Sequence, residues 1–104
     1  MSVAAGYGHI NIVKLMLDLG ANNYNKAIIE AAYYGRGDIV KLMLEKGANN
    51  YDTALSYAIK GDDFDVICML LQKGAKFSDD AELDADDDLK LMINIERNKN
   101  LIKL

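Results

Sequence analysis

The apolar positions of this chain fall in short clusters with helical spacing, separated by glycines and brief polar stretches. Ala27, Ile28, Ala31 and Ala32 recur at i, i+1, i+4 and i+5, the stripe of one helical face, and their small side chains allow close helix approach. Gly35 and Gly37 follow and predict a break. The next cluster, Ile39, Val40, Met43 and Leu44, predicts a second helix with a wide buried stripe. Asp38 stands just ahead of it, placed to accept a hydrogen bond from a free N–H of the first turn. Lys46 suits the negative pole at the far end, and Gly47 supplies the left-handed residue that stops the helix. No segment alternates as a strand does and there is no proline, so the pattern predicts an all-α fold.

This two-helix unit repeats every 27 residues without a gap. Residues 4–30 and 31–57 share 16 identities in the 27 aligned positions, and residues 58–84 form a third copy in the same register. Asn11 and Asp65 take the slot of Asp38, and Gly20 and Gly74 take that of Gly47. Fixed self-similarity of this size predicts a solenoid of stacked units, each too small to bury its own apolar face.

The ends depart from the pattern in different ways. Met1 to Ala5 supplies only the last residues of an inner helix, so Ile12, Val13, Met16 and Leu17 are expected to leave an apolar end unstacked. A terminal repeat ordinarily presents a polar outer face. The expectation is a fragment of a longer array, or an end covered by another subunit, a homodimer through the N-terminal end. At the other end, LKLMI at 89–93 echoes VKLML at 40–44. Residues 85–104 read as a degenerate capping unit, with Lys90, Arg97, Lys99 and Lys103 on its polar side. The whole chain, 1–104, is thus read as one domain.

Composition narrows the function classes. The apolar fraction of 51% and charged fraction of 27% are those of a folded globular protein. No apolar run reaches the roughly 20 residues needed to span a bilayer, and no secretory leader pattern is present, so a cytoplasmic location is expected. A single cysteine, Cys68, agrees with a reducing compartment. The net charge of -4 is uneven, because residues 78–88 hold seven carboxylates and no base, leaving +3 spread over the remainder. That is no basic stripe, so no nucleic-acid partner is expected.

The stretch A-x-x-G-H-x-x-I-V-K-x-M-L-x-x-G-A at residues 5–21, repeated with Arg36 for the histidine at 32–48, resembles the ankyrin repeat. The family's usual length is about 33 residues, and here about six are missing between the terminal glycine and the next unit's first alanine, where the family carries its β-hairpin finger. Asn22, Asn23 and Tyr24 would replace the finger with a tight turn. Ala27 and Ala54 stand at the proline of the family's T-P-L-H signature, and Ile29 and Ser56 at its histidine. Such short, asparagine-rich units resemble the ankyrin-like proteins of giant DNA viruses of amoebae and some protists; a viral source would imply the host cytoplasm. The resemblance implies an ankyrin-like helical solenoid that binds proteins.

Candidate chemistry is sparse. His9 is the lone histidine and sits in the inter-helix turn, where the other copies have Arg36 and Asp63. Cys68 aligns with Lys14 and Lys41 on the outer helix, which predicts a partly exposed thiol with little in the neighbouring sequence to lower its pKa. Asp84, Asp86 and Asp88 have the alternate spacing of a calcium loop, but Leu89 and Ile95 occupy the positions where such a loop needs glycine and a bidentate carboxylate. Neither a metal, nor a cofactor, nor a catalytic pair is therefore expected, and the chain is read as not an enzyme.

Tyrosine accounts for six of the eight aromatic residues. Tyr24 and Tyr51 are identical and in phase at the inter-repeat turns, which suits spacers packed on the neighbouring repeat. Tyr7, Tyr33, Tyr34 and Tyr57 lie on the inner helices, whose exposed side is the concave face in ankyrin arrays, and tyrosine suits a binding surface. Tyr33, Ser56, Lys60, Lys26, Asp52 and Thr53 vary between copies, as readout positions do. The expectation is a protein-interaction module using these nine residues, with a self-associating structural segment as the alternative.

Overall fold

The computed structural model describes residues 1–76 and, beyond them, Leu91. The acidic stretch 78–88, the candidate calcium spacing within it and the capping unit 85–104, apart from Leu91, lie outside the described residues, as does the end of the third repeat. Among the described residues there are six α-helices and no strand: α1 (Ser2–Gly6), α2 (Ile10–Asp18), α3 (Tyr24–Tyr33), α4 (Gly37–Glu45), α5 (Tyr51–Gly61) and α6 (Phe64–Gln72). They pair as α1–α2, α3–α4 and α5–α6, and the pairs stack.

The inner helices α1, α3 and α5 pack broadly on one another, whereas the outer helices α2, α4 and α6 touch only lightly. Composition explains the asymmetry. The inner helices bury Ala4, Ala5, Ala27, Ala31, Ala32, Ala54 and Ala58, so their axes approach closely, while the outer helices bury Ile39, Val40, Met43, Val66, Ile67 and Leu70. The alanines let the inner helices approach one another more closely than the outer ones do, although Ile28, Leu55 and Ile59 are buried on them too, and this curves the stack with the inner helices on the concave side. Each fully buried Ile, Leu or Met contributes about 1.5–3 kcal/mol, and no polar side chain among the described residues is buried.

Every helix closes in the same way. Gly20 N–H donates to the Leu17 carbonyl and Ala21 N–H to that of Met16, the crossed pair of a Schellman turn, and the arrangement recurs at Gly47 and Gly74. The inter-helix turns repeat it with Gly8, Gly35 and Asp62. Those six residues are the positive-φ positions among the described residues, so the helix stops predicted at Gly20, Gly47 and Gly74 are present, and Asp62, at φ 58°, does without glycine's freedom.

Helix starts differ from the sequence expectation. Gly37 is the first residue of α4 rather than a breaker, and the N-cap is Arg36, two residues ahead of Asp38. Asp38 lies within the first turn, where its carboxylate accepts from the Ile39 N–H at 2.8 Å and favours the positive helix pole. The equivalent caps are His9 and Asp63. Only Asp63 caps with its side chain, accepting from the Val66 N–H at 3.0 Å. The helix resumes two residues after the left-handed position, with a single N-cap residue between, so it takes in the polar residues ahead of the apolar cluster.

The turns that replace the fingers are tied by side chains. Asn25 Oδ1 accepts from the Asn49 N–H at 2.9 Å and the Asn50 N–H at 3.2 Å, and its amide donates to Asn49 Oδ1 at 3.1 Å. One repeat on, Asp52 Oδ1 accepts from the Lys76 N–H at 2.7 Å. One short acceptor per repeat thereby links each turn to the next.

Candidate protein-interaction surface

Inner-helix side chains gather into a strip on the concave side. Gly6, Tyr33 and Lys60 are equivalent positions 27 apart, and so are Tyr7, Tyr34 and Gly61. The ring of Tyr34 lies on Gly6, where a Cβ would stand 3.3 Å from it, so α3 is registered on α1 by an aromatic ring on a bare backbone. Tyr33 meets Tyr34 edge-on with centroids 5.0 Å apart, and Tyr57 follows at 6.3 Å and a steep interplanar angle of 70°. Lys60 Nζ then lies 5.4 Å from the Tyr57 centroid, within cation–π range. Gly61 makes the step from Tyr33 to Tyr57 possible, since a Cβ there would collide with the Tyr33 carbonyl.

The four side chains run as a staircase from α3 to α5 and remain exposed, Tyr57 least at 37% and Tyr34 most among the rings at 54%. Beside it, between α1 and α3, is a cleft of about 360 Å³ lined by Val3, Gly6, Tyr7, Glu30, Tyr34 and Arg36. Arg36 Nε donates to the Gly6 carbonyl at 3.2 Å, which fixes the guanidinium at the rim. Tyr7 stands exposed at the open end, its ring 6.2 Å from that of His9.

The nine predicted positions thus separate. Tyr33, Tyr34, Tyr57 and Lys60 come together and Tyr7 flanks them. Lys26, Asp52 and Thr53 lie exposed at the opposite ends of α3 and α5. The Asp52 carboxylate is engaged by Lys76, and the Ser56 hydroxyl donates to the Asp52 carbonyl of its own helix at 3.2 Å. Glu30 and Arg36 are rim residues that sequence reasoning did not select; the signal for Arg36 was its place at the histidine of the G-H pair. Tyr24 and Tyr51 open α3 and α5 and pack half-buried against the core. His9 is exposed and Cys68 is half-buried on α6, two repeats away, so the sequence's two isolated reactive side chains do not meet.

A family model for ankyrin repeats, in three copies, matches residues 1–81. The chain belongs to the ankyrin-repeat family. No curated protein and no solved structure matches it. Ankyrin repeats are in general protein–protein interaction modules and typically non-catalytic. Within that family this array has short tied turns in place of strands among its described residues, and its concave surface is made by the inner helices. No helix among the described residues is long and apolar enough to cross a membrane.

Proposed function

We propose that this ankyrin-repeat array binds a protein partner through the Tyr34–Tyr33–Tyr57–Lys60 staircase, without turnover and in a reducing compartment such as the cytoplasm. The observation that carries this reading is the staircase itself, a continuous, exposed aromatic strip on a rigid scaffold. Tyrosine offers a large apolar area, a polar tip and few rotors to immobilise, so little ordering entropy opposes binding. Lys60 adds a positive end to the strip. Tyr7 and the Glu30–Arg36 rim extend the surface over the first repeat, where the cleft has room for one partner side chain.

The test is affinity capture from a eukaryotic lysate with the parent chain and with a Tyr33→Ala, Tyr57→Ala, Lys60→Ala variant of unchanged helicity. A protein held by the parent and lost by the variant is the expected result. Identical captures from both, or none from either, would remove this face from consideration.

A further inference from the structure

The cleft between α1 and α3 differs from the next interface along the stack in a way that points to what would fill it. Glu30 and Tyr57 hold the same slot, 27 residues apart. Between α3 and α5 that slot carries a ring, whose centroid stands 6.3 Å from that of Tyr33. Between α1 and α3 it carries a carboxylate, and the Tyr34 ring is left lining an open cleft of about 360 Å³ together with Tyr7, Val3 and Gly6. The opening is set within the array, by Gly6 in the slot of Tyr33 and Glu30 in that of Tyr57.

Two charged side chains complete the lining. Arg36 Nε donates to the Gly6 carbonyl at 3.2 Å, and the guanidinium lies so close over Gly8 that a Cβ built there would stand 3.0 Å from Nε, which fixes the cation at the rim. The stem of Glu30 passes beside Gly6, its Cβ 3.6 Å from a Cβ built there. Among the described residues the Glu30 carboxylate forms no hydrogen bond and no ion pair. The cleft therefore combines two tyrosine rings, a fixed cation and an acceptor with unused lone pairs.

We propose that the cleft takes from the protein partner an aromatic side chain bearing an O–H or N–H donor, a tyrosine or a tryptophan; the proposal rests on reading the array as a partner-binding module. Each lining group has a part. The incoming ring packs on Tyr7 and Tyr34, as Tyr57 packs on Tyr33 one interface away. The Arg36 guanidinium is attracted to the electron-rich ring face. Glu30 accepts from the phenol or the indole N–H, and a charged acceptor strengthens that bond. Other occupants leave one of these groups worse off. A lysine or arginine brings a second cation beside Arg36, and a carboxylate brings a second anion beside Glu30. A phenyl or aliphatic group strips water from Glu30 and supplies no donor in return.

The test is an NMR titration of the isotope-labelled full chain with N-acetyl amides of single amino acids, up to about 20 mM, since one side chain supplies affinity on the order of millimolar. The tyrosine and tryptophan probes should shift the Gly6, Glu30 and Tyr34 amide signals and the Arg36 Nε–H signal together, and saturably. The phenylalanine probe should bind about five- to tenfold more weakly, the effect of one lost hydrogen bond, and the arginine and leucine probes should leave those signals in place. Glu30→Val, which puts the first repeat's residue in that slot, should erase the difference between the tyrosine and phenylalanine probes. If its helicity falls, Glu30→Gln, similar in size and neutral, takes its place and should narrow the difference. No saturable shift with either donor-bearing probe overturns the proposal, as does equal binding of tyrosine and phenylalanine by the parent, or a leucine or arginine probe that moves the same signals as far. The capture experiment changes Tyr33, Tyr57 and Lys60, which are not part of the cleft lining. A partner lost on those changes, with a cleft that takes no ring, would overturn the cleft and leave the staircase reading standing.

Discussion

At the scale of single residues the described part of the chain depends on six left-handed positions, five held by glycine and one by Asp62 at φ 58°. A non-glycine residue there costs roughly 1 kcal/mol even for aspartate. Asp62→Gly should therefore stabilise the fold by about 1 kcal/mol and raise the melting temperature by about 5 °C in a thermal scan. Its neighbour Asp63 works in the opposite sense. As the one N-cap among the described helices whose side chain accepts a backbone hydrogen bond, it should cost about 1 kcal/mol in urea unfolding when changed to alanine. The glycine stops were legible because glycine announces a left-handed residue. Asp62 was not, since aspartate is equally at home in a cap, a first turn or a solvated face.

At the scale of elements, the spacing of one helix from the next is set by what is missing as much as by what is present. Gly61 lets α5 come down on the Tyr33 carbonyl at the end of α3. Gly61→Ala must push backbone against backbone, and should destabilise the array by about 3 kcal/mol in chemical denaturation while disturbing the Tyr33–Tyr57 contact. The turn clamp makes a milder and separable prediction. Asn25→Ala removes the acceptor of two backbone N–H groups in an exposed turn and should cost about 1 kcal/mol, with faster amide exchange at Asn49 and Asn50. Asn25→Asp should restore most of that loss, because Asp52 performs the same task one repeat later. The helices themselves were readable from apolar spacing. The clamp was not, because its partners are 24 and 25 residues apart and only stacking in register brings them together.

At the scale of the whole molecule, position in the stack decides what an identical residue contributes. Ile12 and Ile39 are the same residue in the same slot, yet one is 46% exposed and the other fully enclosed. Ile39→Ala should cost about 2–5 kcal/mol through lost burial and a residual cavity, and Ile12→Ala less than half as much, both measured by urea unfolding of dilute protein. Because each repeat rests on its neighbours, the central substitution should lower the single cooperative transition of the array rather than melt one unit alone.

By itself the sequence determined the unit and its count. The 27-residue period, the alanine-rich and branched apolar clusters and the recurring glycines specify helix pairs that must stack, because these are local properties carried by residues a few positions apart. It also marked tyrosines as surface candidates through their place on the inner helices and their large side chains with polar tips. Which of them come together was decided only by tertiary structure. The staircase joins Tyr34 and Tyr33 to Tyr57 and Lys60 through the close approach of α3 and α5, while Asp52 and Ser56, equally variable, are turned to bonds within the array. Exposure along a solenoid is a relation between neighbouring units, and no residue encodes whether a neighbour is there.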